Sequence, residues 1–138
     1  MKELLSLCIC LSLSVAIASC HGKEQTSADP EQQGQLWLAK ARAALRGSDY
    51  TLGRAAIDSL RRQCAEALNA REEGILLLDS IDLAEAHVQL EQAEQAALQQ
   101  GLDIYARDSV DTNLDRAATK VRFYETKLDR DRTNIQKH

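Results

Sequence analysis

Apolar residues recur every three or four positions along most of this chain, separated by Gln, Glu, Lys and Arg, which is the pattern of amphipathic helices. The first such segment opens at Asp29-Pro30-Glu31-Gln32. Asp29 suits an N-cap, Pro30 the first helical position, and Gln32 stands where it can return a capping bond. Its stripe is Leu36, Trp37, Lys40-Ala41 and Ala44-Leu45, and Gly47 marks its stop. Ser48-Asp49 then cap a second helix from about Thr51, with Leu52, Ala55-Ala56, Ile57 and Leu60 turned inward. So short a gap predicts an antiparallel helical hairpin.

A third helix runs from about Glu66 through Leu68, Ile75, Leu76, Leu77, Leu78, Ile81, Leu83, Ala84, Val88 and Leu90. Between Ile75 and Ala84 nearly every face is apolar, so this segment is expected to be covered on more than one side and to form the centre of the core. Beyond it the pattern thins to a narrow seam ending at Gly101. The last segment, from Ser109 or Asp111, repeats Leu114, Val121, Leu128 and Ile135 every seven residues, and the third helix has its own row in Leu76, Leu83, Leu90, Ala97 and Ile104. Matched rows predict an antiparallel coiled-coil-like hairpin turning near Tyr105, with Leu76 opposite Ile135, Leu83 opposite Leu128 and a distal tip from Leu102 to Asp108. The competing reading is one unbroken helix over residues 66–137, because a single glycine costs only ~1 kcal/mol relative to alanine. The expected fold is therefore all-α: a helical hairpin, then a long antiparallel hairpin, about four helices.

A different pattern precedes these helices. After Met1, Lys2 and Glu3, the run Leu4 to Ala18 is almost wholly apolar or small, yet shorter than the roughly 20 apolar residues a membrane-spanning helix needs. This is the design of a signal peptide. Its end, Ile17-Ala18-Ser19-Cys20, resembles the lipobox of bacterial lipoproteins, and the resemblance implies that Cys20 becomes the lipidated first residue of the mature chain. More than one acyl chain makes such an anchor stable. The expected organisation is a signal peptide over residues 1–19, a lipidated cysteine with a polar tether over 20–29, and one α-helical domain over 30–138. His21 is not the aspartate associated with inner-membrane retention in enteric bacteria, which favours the outer membrane within the cell envelope.

Charge and cysteine content narrow the remaining choices. A formal net charge of −4 argues against nucleic acid as a partner. Of the four cysteines, Cys8 and Cys10 leave with the signal and Cys20 is acylated, so Cys64 remains as a thiol that reads as a small apolar residue at a helix junction.

No catalytic constellation emerges. Asp111-Thr112-Asn113-Leu114-Asp115 imitates half of a calcium loop, but Arg116 and Arg122 occupy the positions that need Gly and Glu, so the segment reads instead as a helix N-terminus. His87 and Glu91 share a helix face without a third ligand. Asp79 and Asp82, like Asp129 and Asp131, read as helix surface, and no serine or cysteine sits in a nucleophile motif. The chain thus reads as a non-enzyme without metal or cofactor. Asp58-Ser59-Leu60, Asp79-Ser80-Ile81 and Asp108-Ser109-Val110 match the O-glycosylation sequon of Bacteroides secretory proteins, and Ser109, in an expected loop, is the accessible one.

Two wider resemblances follow. Trp37, Leu45, Gly47, Asp49-Tyr50 and the alanines after them resemble a single tetratricopeptide unit, departing from it at Gly53, where alanine is usual, and in lacking a closing proline. The next 34 residues do not repeat it, so it implies a shared way of packing two helices rather than a peptide-binding solenoid. Lys40-Ala41-Arg42-Ala43-Ala44, Ala56-Ile57-Asp58-Ser59-Leu60-Arg61, Ala70-Arg71-Glu72-Glu73-Gly74, Leu78-Asp79-Ser80-Ile81 and Val121-Arg122-Phe123-Tyr124-Glu125-Thr126-Lys127-Leu128-Asp129-Arg130-Asp131 resemble a family of small helical lipoproteins of Bacteroides and relatives. That resemblance implies a helical lipoprotein and supplies no activity. The expected role is a membrane-anchored protein that engages an envelope protein partner; the alternative is a carrier holding a small apolar ligand between helices around Leu76 to Leu83.

Overall fold

A computed structural model describes residues 29–99 and 101–137. The signal segment and Ile17, Ala18, Ser19 and Cys20 lie outside the described residues. Four helices follow in order: α1 (Pro30–Arg46), α2 (Tyr50–Gln63), α3 (Leu68–Ala97) and α4 (Ile104–Ile135). Helices α1, α2 and α3 pack on one another as a three-helix base, while α4 packs on α3 alone. The fold is all-α, with the two hairpins the periodicity predicts.

The base is held by close approach of small residues. In α1 the buried positions are Gly34, Leu38, Ala41 and Ala44. A Cβ on Gly34 would stand 2.6 Å from the Ala70 Cβ of α3 and 3.1 Å from that of Ala67. That contact turns α1 away from the expected stripe, leaving Leu36 71% exposed and Trp37 half-buried. In α2 the buried set is Gly53, Ala56, Ile57 and Leu60, so Leu52 and Ala55, expected inside, face outward. Gly53, the departure from the tetratricopeptide pattern, admits Ile81: a Cβ there would meet the Ile81 Cδ1 at 2.9 Å. Leu38, Ile57, Leu60, Cys64, Ala67 and Ala70 complete the core, with Cys64 buried at the C-cap of α2. Helix α3 touches all three other helices, but its apolar run is not the expected centre of the core. Between Ile75 and Ala84 only Asp79 and Ile81 are buried, Ile75 is exposed and Leu76, Leu77 and Leu78 are half-buried, because the close approach at Gly34 and Ala70 draws the core toward the start of α3.

Local capping sets the boundaries. Asp29 accepts from the Glu31 amide and Asp49 from the Leu52 amide, so α1 and α2 begin on carboxylate caps. Between them Gly47 closes α1, but the left-handed residue is Ser48, at φ 56°. Ala67 offers α3 no side-chain cap, and the carboxylate of Glu31 reaches across to accept from the Ala70 amide at 2.6 Å. An anionic oxygen there meets both an unpaired N–H and the positive end of the helix dipole.

The α3–α4 turn departs from expectation. Helix α3 ends at Ala97, Gly101 adopts φ 80°, and Asp103 caps α4 by accepting from the Ala106 amide at 2.8 Å. Arg107 donates to the Ala97 carbonyl at 2.9 Å and the Gln99 carbonyl at 3.1 Å, satisfying the end of α3. These contacts exclude the unbroken helix and begin α4 at Ile104 rather than at Ser109 or Asp111. The expected tip, Leu102 to Asp108, is therefore corrected: most of it is the first turns of α4. The register moves accordingly. Leu76 shares a groove with Leu128 and Arg132, about one turn short of the expected pairing with Ile135.

Candidate functional site: a buried charge lock and an apolar tip

Asp79 lies within the most apolar stretch of α3, yet it is 1% exposed. One carboxylate oxygen accepts from the Lys127 ammonium of α4, which also donates to Asp131 at 3.2 Å; the other oxygen has no partner among the described residues. Asp131 in turn accepts from the Arg130 guanidinium at 3.1 Å. The reading of Asp79 and Asp131 as helix surface is corrected on this geometry. The signal available in the sequence was an acid isolated among Leu76, Leu77, Leu78 and Ile81, with a lysine beside Leu128 in the opposing row.

Burying a carboxylate is costly unless it is paired. Sliding the hairpin by a turn would carry Asp79 away from Lys127 and leave a buried carboxylate without its ammonium, so the pair acts as a register lock between α3 and α4. A second charged group ties α2 to α3: Arg54 donates to Asp82 at 2.7 Å and to Glu85 at 2.5 Å, so Asp82 is also partnered. Burial opposes the charge of Arg54, and its bonds to Glu85 and Asp82 more than offset that, raising its pKa.

Burial pushes the Asp79 carboxyl above the ordinary 3.8, with Lys127 pulling it part of the way back and Asp131 adding to the rise. Bonds from Lys127 and Arg130 hold Asp131 below 3.8. Burial opposes the Lys127 charge, but its bonds to Asp79 and Asp131 prevail and raise it above 10.5. Where a folded-state pKa is raised, the folded chain holds the extra proton and stability falls as pH climbs through the titration; where it is lowered, stability falls on acidification. The urea midpoint should therefore decline as pH rises just above 3.8, a decline that Asp79→Asn removes. It should decline again from about pH 10.5 upward, and Lys127→Met should flatten that alkaline limb.

The far end of the hairpin is the second feature. Residues 86–97 of α3 extend about 18 Å, at ~1.5 Å per residue, past Glu85, the last α3 side chain hydrogen-bonded to α2 among the described residues. At the tip Leu98 is 74%, Ile104 79% and Tyr105 84% exposed, the three most exposed large apolar side chains among the described residues. They stand on the turn that Asp103 and Arg107 hold in place.

The other sequence candidates stay apart. Cys20, with Ile17, Ala18 and Ser19, lies outside the described residues. Ser109 is exposed but sits in the second turn of α4, not in a loop, because the Asp103 cap starts the helix before it. Asp111 to Asp115 likewise lie inside α4 instead of at its N-terminus. His87 and Glu91 are exposed on α3, and among the described residues no group of three or more His, Cys, Asp or Glu side chains is placed to hold a metal. Near the expected ligand segment, Leu76, Leu77 and Ser80 line an open groove with Arg42, Glu73, Leu128 and Arg132. Among the described residues no helix is long and apolar enough to cross a membrane.

Fold and site together define an all-α protein built as a three-helix base carrying a charge-locked two-helix arm. No family model, curated protein or solved structure matches the chain.

Proposed function

We propose that this chain is a lipid-anchored protein of the bacterial envelope, a helical lipoprotein of the kind the Bacteroides resemblance implies, that works without catalysis by presenting its α3–α4 arm to another envelope protein. The observation that carries the reading is the tip. Leu98, Ile104 and Tyr105 are large, apolar and exposed together on a capped turn, where solvent exposure gains the fold nothing. Contiguous exposed apolar side chains with a polar surround mark interaction sites. Glu94, Asp103 and Asp108 surround these residues in sequence, so the partner surface that suits them is an apolar pocket with a basic rim. The anchor half rests on the Ile17-Ala18-Ser19-Cys20 motif, whose lipid would confine the domain to a membrane surface.

A photoreactive phenylalanine at Tyr105 in the producing bacterium tests the partner. A defined protein adduct is expected, lost with Leu98→Ser plus Ile104→Ser, while the same probe at exposed Thr119 on the α4 shaft gives none. Equal crosslinking at the two positions, or none at Tyr105, removes the tip from the reading. The anchor is checked separately by the intact mass of the mature chain, which should begin at Cys20 and carry a diacylglycerol.

A further inference from the structure

Charge is unevenly divided along the chain. Residues 29–71 carry seven Lys or Arg against five Asp or Glu, whereas residues 72–138 carry eight against fourteen. The α1–α2 part of the chain is therefore mildly positive, while α3 from Glu72 onward and α4 are acidic. Helix α1 concentrates the difference: after Glu31, which is turned to the α3 N-terminus, it has no acid, and its charges are Lys40, Arg42 and Arg46. Arg42 pairs with Glu73, while Lys40 and Arg46 make no ion pair among the described residues.

The face of α1 opposite the core presents Leu36, Ala39 and Ala43, all exposed and spaced three and four apart, with Lys40 on one side and Arg46 on the other. At its edge lies the half-buried Trp37 ring, with the Lys40 ammonium 5.1 Å from its centre. An apolar strip flanked by Lys and Arg, with Trp at its margin, is the composition of a helix that lies in a lipid headgroup layer. The chain outside the described residues reaches this helix first. Cys20 is nine residues before Asp29, a span of at most about 32 Å at ~3.6 Å per residue.

We infer that the outward face of α1, formed by Leu36, Ala39, Ala43, Lys40 and Arg46 with Trp37 at its edge, docks the base onto an anionic lipid surface. The inference rests on the lipid-anchored reading, since a tether this short keeps the face at high effective concentration over the bilayer and lets a weak contact suffice. The juxtaposed contacts Glu31–Ala70 and Leu38–Gly74 show that α1 and α3 run in the same direction. Docking on α1 therefore lays the arm alongside the membrane, with its acidic helix stood off by one helix layer of roughly 8–10 Å, about one Debye length at physiological salt. The tip is then offered laterally, to a partner in the same membrane.

Trp37 is the single tryptophan of the chain, so its emission reports on this face directly. The acylated chain purified from membranes is reconstituted into vesicles of phosphatidylethanolamine and phosphatidylglycerol, with and without brominated acyl chains, and into phosphatidylcholine vesicles. Loss of Trp37 emission to the brominated chains in the anionic vesicles, relieved by high salt and by Leu36→Asp plus Arg46→Glu with unchanged circular dichroism, is the expected result. A chain that floats with the vesicles while Trp37 stays unquenched and open to acrylamide overturns the docking face and leaves the anchor standing. A chain whose mass shows no lipid overturns the anchor reading instead. The unacylated chain is then titrated with the same anionic vesicles, where quenching of Trp37 upholds the face and its absence overturns it.

Discussion

Lys127→Met is expected to destabilise the chain by about 3 kcal/mol, the low end of the cost of removing one partner from a buried pair. The low end applies because the Lys127 side chain is 29% exposed while Asp79 is 1% exposed. The loss arises mainly from what remains, a carboxylate between α3 and α4 with no ammonium to accept from. Asp79→Leu combined with Lys127→Met should recover most of the loss, since two apolar groups of similar volume leave no desolvated charge. Arg42→Met provides the contrast. Its pair with Glu73 is 44% and 46% exposed, and exposed pairs contribute about 0–1 kcal/mol. Urea unfolding of the four chains checks this, and equal losses for Lys127→Met and Arg42→Met would reject the register lock. The double variant should also crosslink between α3 and α4 in more than one register, because nothing then penalises a slip along the seam.

Gly34→Ala is expected to lower stability by about 2 kcal/mol, although alanine in place of glycine inside a helix ordinarily gains about 1 kcal/mol. The added Cβ would stand 2.6 Å from the Ala70 Cβ and 3.2 Å from the Leu60 Cδ1. Leucine can turn aside, but the Ala70 Cβ is fixed to its backbone, so α1 and α3 must separate. Separation also lengthens the 2.6 Å bond by which Glu31 caps the Ala70 amide, coupling the clash to the start of α3. Ala70→Gly in the Gly34→Ala background should restore much of the loss, with thermal unfolding as the readout. A Gly34→Ala chain more stable than its parent would show that the two helices are not in this contact.

Much of the architecture was legible from local features. The Asp29 and Asp49 caps and the stop at Gly47 depend on residues within a turn or two of one another, and the structure uses each of them, whereas the apolar run from Ile75 to Ala84 is only partly buried. The partial tetratricopeptide resemblance pointed to the α1–α2 hairpin, and its departure at Gly53 is where Ile81 enters. The candidate sites were less legible. The N-terminal cysteine motif is a matter of sequence chemistry alone, whereas the tip became visible only when Asp103 and Arg107 had placed the turn.

By itself, the sequence determined that the described chain is helical and that α1 and α2 form a hairpin, because repeat spacing and end caps act over one or two turns and are written in consecutive residues; it left residues 66–137 open between a second hairpin and one unbroken helix. Only the tertiary structure decided which face of α1 is buried, that Asp79 is an interior charge, that Glu31 starts α3, and where the arm turns. Those outcomes depend on pairs such as Glu31 with Ala70, 39 positions apart, and Asp79 with Lys127, 48 apart. Periodicity reports that a helix has a face to cover; the choice of face falls to whichever distant small residues allow the closest approach, and at Gly34 and Ala70 that approach outweighed the larger Leu36.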